Sequence, residues 1–405
     1  MSPTADPSTV LVVNAGSSSL KFALVDAGSG ERVLSGLAER LGTAEASLRT
    51  SGHDGTHEAP LDGSDHTAAV AAIIEAIGRL DPALQPVGVG HRVVHGGERF
   101  ADSVLITDEV IEALEEFAPL APLHNPPGLL GIRAVTATWP QMPQVAVFDT
   151  AFHQSMPPRA YRYAVPEDWY AERGVRRYGF HGTSHRYVSG RAAELLGRDP
   201  ADLALVVAHL GNGCSATAVL GGRSVDTTMG LTPLEGLVMG TRSGDIDPGV
   251  FGYLDDAYGL SAHAVTTALN KESGLLGLSG LSNDMRELWQ ARNAGHPGAT
   301  LAIDVFVYRL AKSLAALVVA LGRLDALVFT GGIGEHDEDV RAMTVSALGF
   351  LGLRLDPVRN ADHGAGSAGR IGTGEGPEIL VVPTDEELMI AVDTIRLTRP
   401  DASEE

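Results

Sequence analysis

Arginine, histidine and carboxylate side chains recur in this sequence at glycine turns and at the ends of apolar strands. Arg242 stands among small residues in GTRSGD, and Arg92 lies shortly before the pair Gly96 and Gly97. A guanidinium on a glycine-rich loop is suited to binding an anion, although both arginines could instead form surface ion pairs. The side chains that we select as candidates for chemistry are Asn14, Arg92, Asp149, His181, Asn212, Arg242 and Glu386.

The segment HLGNG, His209–Gly213, is a glycine turn that follows an apolar run. Glycines let the backbone approach a ligand closely and point its N–H groups inward, as loops that bind phosphate do. Taken alone, Gly-x-Gly is weak support, because an ordinary hairpin with a glycine-rich turn contains the same residues. The lysines are Lys21, Lys271 and Lys312, and none follows a glycine, which excludes a P-loop. The first helix does not open with Gly-x-Gly-x-x-Gly, which argues against a dinucleotide-binding fold.

Two histidine pairs, His91 with His95 and His181 with His185, have a four-residue spacing that could suit a metal. The first pair lies in a strand and the second spans the start of a helix, so a zinc site is not favoured. For His181, a hydrogen-bonded core histidine is the alternative to a catalytic role. The lone cysteine, Cys214, lies in the glycine turn, where a small packing residue is favoured over a nucleophile.

Two segments of the form strand, turn, strand must position these side chains. Leu205–Ala208 predicts a buried strand that leads into the turn at His209, and Ala216–Leu220 predicts the strand after it. Residues 10–25 repeat this design, with Asn14 at the position of His209. The two copies are too far apart for a solenoid repeat. They predict two domains of like design, each presenting a phosphate-facing hairpin to a shared cleft.

Apolar periodicity predicts the remaining elements. Strands are expected at 86–94, 104–106, 144–148, 324–330 and 378–382, and helices at 67–80, 108–117, 128–138, 261–270, 284–292 and 301–321. A further helix should end near Gly197. Residues 42–66 and 361–377 lack periodicity and are predicted as loops.

Three of these elements end or begin on residues of interest. Strand 144–148 ends on Asp149, and carboxylates at strand ends are where open α/β sheets hold ligands. The segment GGIGE, residues 331–335, precedes an acidic helix start and is typical of a nucleotide-binding position. Thr384 and Glu387 match a capping box that opens the last helix, which leaves Glu386 available for chemistry.

The composition of the 405 residues is that of a globular protein with room for two domains. The net charge is −21, from 51 acidic and 30 basic residues, which argues against a nucleic-acid or anionic-membrane surface. A single cysteine excludes an internal disulfide and indicates a reducing compartment. The N-terminus lacks the pattern of a secretory signal, and the apolar stretch 301–321 is interrupted by Asp304, Arg309 and Lys312, as in a buried helix. We therefore expect a cytoplasmic protein.

Eight segments together resemble the acetokinase family of the acetate and sugar kinase/Hsp70/actin superfamily: VVNAGSSSLKF, GHRVVHGGE, FDTAFH, YGFHGTSH, HLGNGCS, GTRSGDIDP, FTGGIGEH and PTDEELMIA. They occur in order from residue 12 to residue 391. The resemblance implies an α/β fold of two duplicated RNase H-like domains, as in actin-like ATPases, with the active site in the cleft between them. The domains would be residues 1–150 with 385–405, and residues 151–384.

The activity implied is reversible transfer of a phosphoryl group between ATP and acetate, giving acetyl phosphate and ADP, with Mg²⁺ or Mn²⁺ as the metal. By motif, Asn14 and Glu386 correspond to the metal site, Arg92 to the acetate contact and Asp149 to the catalytic carboxylate. His181 and Arg242 correspond to stabilisers of the transition state. Matches to nucleotide-binding positions are Lys21, His209, Leu210, Gly211, Asn212, Gly213, Asp284, Met285, Arg286, Gly331, Gly332, Ile333, Gly334 and Glu335. Matches to an apolar pocket for the acetate methyl group are Val94, Leu123, Phe180 and Pro233.

These roles agree with the chemistry of phosphoryl transfer, which depends mostly on positioning and on stabilising charge. Acetate is already ionised at neutral pH, so we expect Asp149 to orient groups or hold metal-bound water, and not to act as a base. The sequence departs from the family pattern at Glu287, where aspartate is expected, and at His336, where asparagine is frequent. The resemblance also implies a homodimer.

Two alternatives remain at this point. A propionate or butyrate kinase is the nearer one, because one or two methylenes change binding by only about 1–3 kcal/mol. The other is an actin-like or Hsp70-like module in which ATP drives a binding change.

Overall fold

Short apolar runs form two β-sheets in the computed structural model, which describes residues 8–81, 84–122 and 124–399. The strands are β1 (Thr9–Ala15), β2 (Ser19–Asp26), β3 (Arg32–Glu39), β4 (Ser47–Gly52), β5 (Gly55–Pro60), β6 (Val89–Val93), β7 (Val104–Leu105), β8 (Gln144–Phe148), β9 (Ala204–Leu210), β10 (Cys214–Leu220), β11 (Arg223–Thr227), β12 (Ala326–Thr330) and β13 (Glu378–Val381).

The α-helices, in chain order, are α1 (His66–Leu80), α2 (Asp108–Glu116), α3 (Asn125–Thr138), α4 (Pro158–Tyr161), α5 (Glu167–Ala171), α6 (Gly182–Leu196), α7 (Gly249–Tyr258), α8 (Ala262–Lys271), α9 (Gly274–Ser279), α10 (Met285–Asn293), α11 (Pro297–Leu321), α12 (Gly331–His336), α13 (Glu338–Ala347), α14 (Pro357–Ala361) and α15 (Glu386–Thr398). Short 3₁₀ turns occupy Ala118–Leu120, Ala151–Ser155, Pro200–Asp202, Gly349–Leu351 and Ala365–Ser367. None of the helices in the described ranges combines the length and apolarity that a membrane crossing requires.

The chain divides into two compact units, Met1–Phe152 with Asp385–Glu405, and His153–Thr384. In the first unit the strand order is β5-β4-β3-β2-β1-β6-β8-β7. Alternate residues of β1 point to opposite faces of the sheet. Leu11 and Val13 pack with α1 and α3, whereas Val10 and Val12 pack with Ile390 of α15. Because helices cover both faces, the strand is a continuous apolar run.

In the second unit the order is β11-β10-β9-β12-β13. Helix α11 packs across β9, β10 and β11, and α6 packs across β9 and β12. Three antiparallel strands followed by two parallel ones therefore repeat the arrangement β3-β2-β1-β6-β8 of the first unit. The hairpins that the sequence relates, β1–β2 and β9–β10, occupy the same place in the two sheets.

Three local predictions are wrong. Residues 42–66 contain β4 and β5 and are not only a loop. Every residue of β5 is exposed, so this edge strand carries no apolar alternation that could reveal it. The glycine segment at 331–335 is itself helical, as α12, and does not merely precede a helix.

The predicted capping box of the last helix is the third. Asp385, and not Thr384, caps α15, and its side chain accepts a hydrogen bond from the backbone N–H of Leu388. Glu387 forms ion pairs with Lys21 and Arg32 instead of turning back to the cap. Aspartate is as good an N-cap as threonine, so the sequence contained two candidates one residue apart.

His91 is a buried polar residue in the core of the first unit. Its Nε2 lies 2.8 Å from Oε1 of Gln144 on the neighbouring strand, and the Gln144 amide N–H donates in turn to Thr136. Burial lowers the pKa of His91 from 6.5 to about 4, against a smaller opposing effect of the hydrogen bond to Gln144. The folded protein therefore favours the neutral imidazole.

This pKa difference predicts a pH-dependent stability. The unfolded chain binds a proton at His91 below pH 6.5 and the folded chain does not, so stability is lost as the pH falls from 6.5 toward 4. His91→Gln, which keeps an amide donor, should abolish a loss of about 2 kcal/mol between about pH 7 and pH 5. Urea denaturation at the two pH values measures it. Equal pH dependence in wild type and His91→Gln would refute the assignment.

Candidate active site

The first unit brings an arginine and a carboxylate together at one edge of its sheet. Strands β6 and β8 are parallel neighbours, with Val93 paired to Phe148, so Arg92 and Asp149 lie side by side. The guanidinium makes two hydrogen bonds to the carboxylate, from Nε to Oδ1 at 3.0 Å and from Nη2 to Oδ2 at 2.7 Å. Asp149 is buried and Arg92 is half-buried. The adjacent Asp149 charge raises the pKa of Arg92 against the opposing effect of burial, and the Glu386 charge raises it further, so Arg92 is fixed as a cation.

Glu386 adds a second carboxylate to Arg92. It is the first residue of α15, and its Oε2 lies 3.9 Å from Nη1 of Arg92. Burial raises the pKa of Glu386, and the neighbouring Asp149 charge acts in the same direction, whereas Arg92 and Lys21 oppose the shift. Two carboxylates therefore share one guanidinium, and the ionised form of Glu386 is not fully compensated.

Asn14 lies at the same edge of the sheet. Val13 of β1 pairs with His91 of β6. Asn14 and Arg92 are the next residues of these two parallel strands, so they leave the sheet at the same end. An amide oxygen and an undercompensated carboxylate are hard oxygen donors of the kind that Mg²⁺ binds. In the described part of the chain, three or more His, Cys, Asp or Glu side chains do not gather in a metal-binding arrangement. A donor set of one amide and one or two carboxylates fits Mg²⁺, which keeps several waters and takes its other ligands from phosphates.

Lys21, a predicted nucleotide contact, lies in β2 opposite Asn14. Its exposed side chain forms an ion pair with Glu387, from Nζ to Oε1 at 2.8 Å. Arg32 binds the same carboxylate and also Asp385. The cluster ties the start of α15 to β2 and β3, which positions Glu386.

The second unit brings His181 and Arg242 together over Gly213. His181 precedes α6 with a left-handed backbone, φ +56°, which turns its side chain toward the β9–β10 hairpin. A methyl group built on Gly213 would lie 3.4 Å from His181 Nε2 and 3.5 Å from Arg242 Nη1. Only a glycine leaves this space between the two side chains open.

Arg242 is half-buried and has no carboxylate partner among the described residues. Its Nη1 donates hydrogen bonds to the carbonyl oxygen of Pro233 at 3.4 Å and to the sulfur of Met239 at 3.8 Å. Burial lowers the pKa of its guanidinium. A partly desolvated cation without a counter-charge is a strong site for an anion.

A cavity of about 1010 Å³ lies in the same unit, and Gly211 and Asn212 of the β9–β10 turn are part of its lining. Of the predicted nucleotide-binding residues, it is lined by Gly211, Asn212, Asp284, Met285, Arg286, Gly332 and Ile333. Asp284 caps α10 and forms an ion pair with Arg286 at 2.6 Å, and the hydrogen bond from Arg286 is the main reason that its pKa falls to about 2.

Other residues of the predicted motifs do not line this cavity. Leu210 is fully buried, and a Cβ built on Gly331 would lie 2.8 Å from the carbonyl oxygen of Leu210. Glu335 accepts hydrogen bonds from the backbone N–H groups of Gly331 and Thr384, so its carboxylate closes the turn around α12. Gly334 packs beneath it as a buried residue. His209 accepts or donates a hydrogen bond at Nδ1 with Ser184.

The residues predicted to contact the acetate methyl group belong to both units. Val94 follows β6 in the first unit and is half-buried. In the second unit Phe180 is buried, and Pro233 is half-buried with its carbonyl oxygen against Arg242. Leu123 lies outside the described residues.

Sequence reasoning missed several residues of the second unit. Asn283, Trp289 and His363 line the cavity, together with the acidic segment 337–339. Trp289 donates a hydrogen bond to Asp337, and a tryptophan in an otherwise polar helix was the available signal. The fully buried Arg341 donates to the carbonyl oxygens of Gly334, Glu335 and Asn360 and to His363, contacts that no local pattern could reveal.

Comparison with known proteins covers nearly the whole chain. The model of the Acetokinase family matches residues 9–392. The chain is 59% identical over 385 residues to an acetate kinase of Deinococcus radiodurans, covering 95% of this chain and 96% of that protein. It is 57% identical over 389 residues to an acetate kinase of Ectopseudomonas mendocina, covering 96% and 98%.

Two solved structures have the same fold. An acetate kinase of Porphyromonas gingivalis has a TM-score of 0.90 and 45% identity, with 97% of this chain and 100% of that chain covered. A propionate kinase of Francisella tularensis has a TM-score of 0.91 and 44% identity, with 96% and 100% covered. The predicted α/β fold class with two duplicated units is thereby confirmed.

The space above Gly213 leads to a prediction. In Gly213→Ala, the methyl group should fill the gap between His181 and Arg242 and reduce the affinity for inorganic phosphate by about tenfold or more, the value of roughly one charge-assisted hydrogen bond. Isothermal titration measures the affinity. Gly349→Ala, whose methyl group would meet nothing within 4 Å, is the matched control. Phosphate affinity unchanged in a folded Gly213→Ala protein would show that the anion binds elsewhere.

Proposed function

The chain belongs to the acetokinase family, and from this premise we propose that the protein catalyses the reversible transfer of the γ-phosphoryl group of ATP to acetate, giving acetyl phosphate and ADP. It is a phosphotransferase with a carboxyl group as acceptor. The observation that supports this most strongly is Arg242, a half-buried cation without a carboxylate partner, beside Nε2 of His181. A phosphoryl group in transit supplies the negative charge that this pair lacks.

The transfer requires little covalent participation by the protein. A carboxylate oxygen of acetate forms a bond to the γ-phosphorus as the bond from that phosphorus to the β-bridging oxygen breaks, and ADP leaves with the electron pair. Acetate enters ionised, so no side chain needs to remove a proton. Arg242 and His181 would donate hydrogen bonds to the equatorial oxygens, where charge is spread in the transition state.

Arg92, Asp149 and Glu386 would prepare the acceptor side. Asp149 uses both oxygens to hold the guanidinium of Arg92 in a fixed orientation. Such an orientation allows Arg92 to bind the acetate carboxylate without reorganisation during the reaction. This role for Asp149 is orienting, since its two oxygens are already engaged with Arg92.

Mg²⁺, or Mn²⁺ in its place, would neutralise charge on the phosphates when bound. Asn14 and Glu386 would hold it, because they provide an amide oxygen and an undercompensated carboxylate at one sheet edge. Gly211, Asn212, Gly332 and Ile333, on the walls of the cavity in the second unit, would hold the nucleotide.

Acetate is favoured as the acceptor because the relatives at 59% and 57% identity are acetate kinases, whereas the propionate kinase is 44% identical. Relative kcat/KM for acetate, propionate and butyrate decides among them. A homodimer and a cytoplasmic location complete the proposal. Both rest on the family resemblance, and the location rests also on the single cysteine, Cys214, which forms no disulfide. Burial raises the pKa of the Cys214 thiol to about 12, so this thiol is inert.

Arg242→Ala should lower turnover on the order of 10³-fold or more, as loss of an arginine that stabilises a transferring phosphoryl group does. Coupled ADP release in the presence of acetate measures it. Arg173→Ala, which removes an exposed ion pair with Asp168, should keep wild-type turnover. If Arg242→Ala turned over within tenfold of the wild type, this role for Arg242 would be wrong.

Glu386→Gln should raise the Mg²⁺ concentration that gives half-maximal turnover by on the order of tenfold, because one charged oxygen ligand is lost. The control Glu75→Gln removes an exposed carboxylate of α1 that pairs with Arg79, and should leave the Mg²⁺ requirement within about twofold. A magnesium titration of both variants provides the comparison. Equal shifts in the two variants would contradict the assignment of Glu386.

A further inference from the structure

A serine joins His181 to a second, fully buried histidine. Ser215 Oγ lies 2.9 Å from Nδ1 of His181 and 2.8 Å from Nε2 of His185. Ser215 and His185 are both 0% exposed. The three side chains come from the N-terminus of α6 and the start of β10, and they form a chain of hydrogen bonds that leads away from Gly213 into the core.

The protons of this chain can be counted. A serine hydroxyl has one proton and a neutral imidazole has one. If Ser215 donates to His181, then Nδ1 of His181 is an acceptor, its proton is on Nε2, and His185 donates to Ser215 from Nε2. If Ser215 donates to His185 instead, Nδ1 of His181 must carry the proton, and a neutral His181 then has only a lone pair at Nε2.

The environment of His185 favours the first arrangement. Its Nδ1 is buried and has no hydrogen-bond partner among the described residues. The first arrangement leaves a lone pair at this atom, whereas the second leaves a buried N–H, which proteins tolerate least. The rings that face His185 are those of His153, at 5.7 Å between centroids, and His209, at 6.3 Å, and burial together with these two keeps the pKa of His185 well below 6.5. His185 is thus neutral, as both arrangements assume.

We propose that His185 acts through Ser215 as a positioning residue that holds His181 in the Nε2–H tautomer. The Nε2–H group lies next to Arg242 over Gly213, so a neutral His181 donates a hydrogen bond to the phosphoryl group. This inference rests on the proposed function, which places the transferring phosphoryl group there. Ser215 and His185 thus affect the reaction without contacting the substrate, by fixing the tautomer of His181.

Kinetics of matched variants test this relay, in which His185 acts on His181 through Ser215. Ser215→Ala should lower kcat by about tenfold, the usual effect of losing a group that orients a functional histidine, and leave KM for ATP within about twofold. His185→Met should do the same, whereas His185→Gln, whose amide can still donate to Ser215, should recover most of the rate. Adding Ser215→Ala to His181→Ala should cost less than about twofold further, because the effect passes through His181.

The kinetic outcomes separate this inference from the proposed function. A wild-type enzyme without acyl phosphate product would refute the proposed function itself. If His181→Ala kept the wild-type kcat, both the role of His181 as a hydrogen-bond donor and the relay would be refuted. A full tenfold effect of Ser215→Ala in the His181→Ala background, or equal rates for His185→Gln and His185→Met, would refute the relay alone.

Nitrogen NMR of ¹⁵N-histidine-labelled enzyme observes the tautomer without reference to activity. His181, assigned by comparison with His181→Ala, should show a protonated Nε2 and an unprotonated Nδ1 in the presence of inorganic phosphate. Ser215→Ala should convert this into a mixture of tautomers. A wild-type His181 protonated at Nδ1, or a variant spectrum identical to the wild type, would overturn the inference whatever the rates are.

Discussion

A partly buried guanidinium costs free energy unless a negative charge compensates it, and Arg242 has no such charge among the described residues. In the second unit, the residues near Arg242 leave room for an anion that would supply the missing negative charge. Gly213 leaves the space above Arg242 open, and His181 brings its Nε2 to the same space from the start of α6. With a net charge of −21 the protein repels anions in general, so a local uncompensated cation is what allows a phosphate to bind.

The candidate site residues of the first unit have the opposite charge balance, with more carboxylates than arginines. Arg92 has two carboxylates, and its bidentate pair with Asp149 fixes the guanidinium plane. The second carboxylate, Glu386, is in excess, and burial raises its pKa. One unit thus offers a cation that needs an anion, and the other offers oxygen ligands that need a cation. The proposed reaction uses a ligand of each kind, a phosphate anion and Mg²⁺.

The strands and helices of the core could be predicted because each has a continuous apolar run or a 3.6-residue period, as in β1, β9 and α11. The exposed edge strand β5 could not be, because neither face is buried. The arginines and Asp149 could be selected from their glycine turns and strand ends. Arg341 and Ser215 could not, since their partners at Asn360 and His185 are distant in sequence or are contacted across elements, and no local pattern encodes that contact.

The proposed reaction transfers a phosphoryl group to a small carboxylate. The most direct measurement incubates the protein with ATP, Mg²⁺ and acetate in the presence of hydroxylamine, which traps an acyl phosphate as its hydroxamate. Phosphoryl transfer to acetate should give acetyl hydroxamate in amounts equal to the ADP formed, with neither product when acetate is omitted. ADP released without hydroxamate, in particular if a partner protein stimulated the release, would contradict phosphoryl transfer to acetate and would favour an ATP-driven binding module.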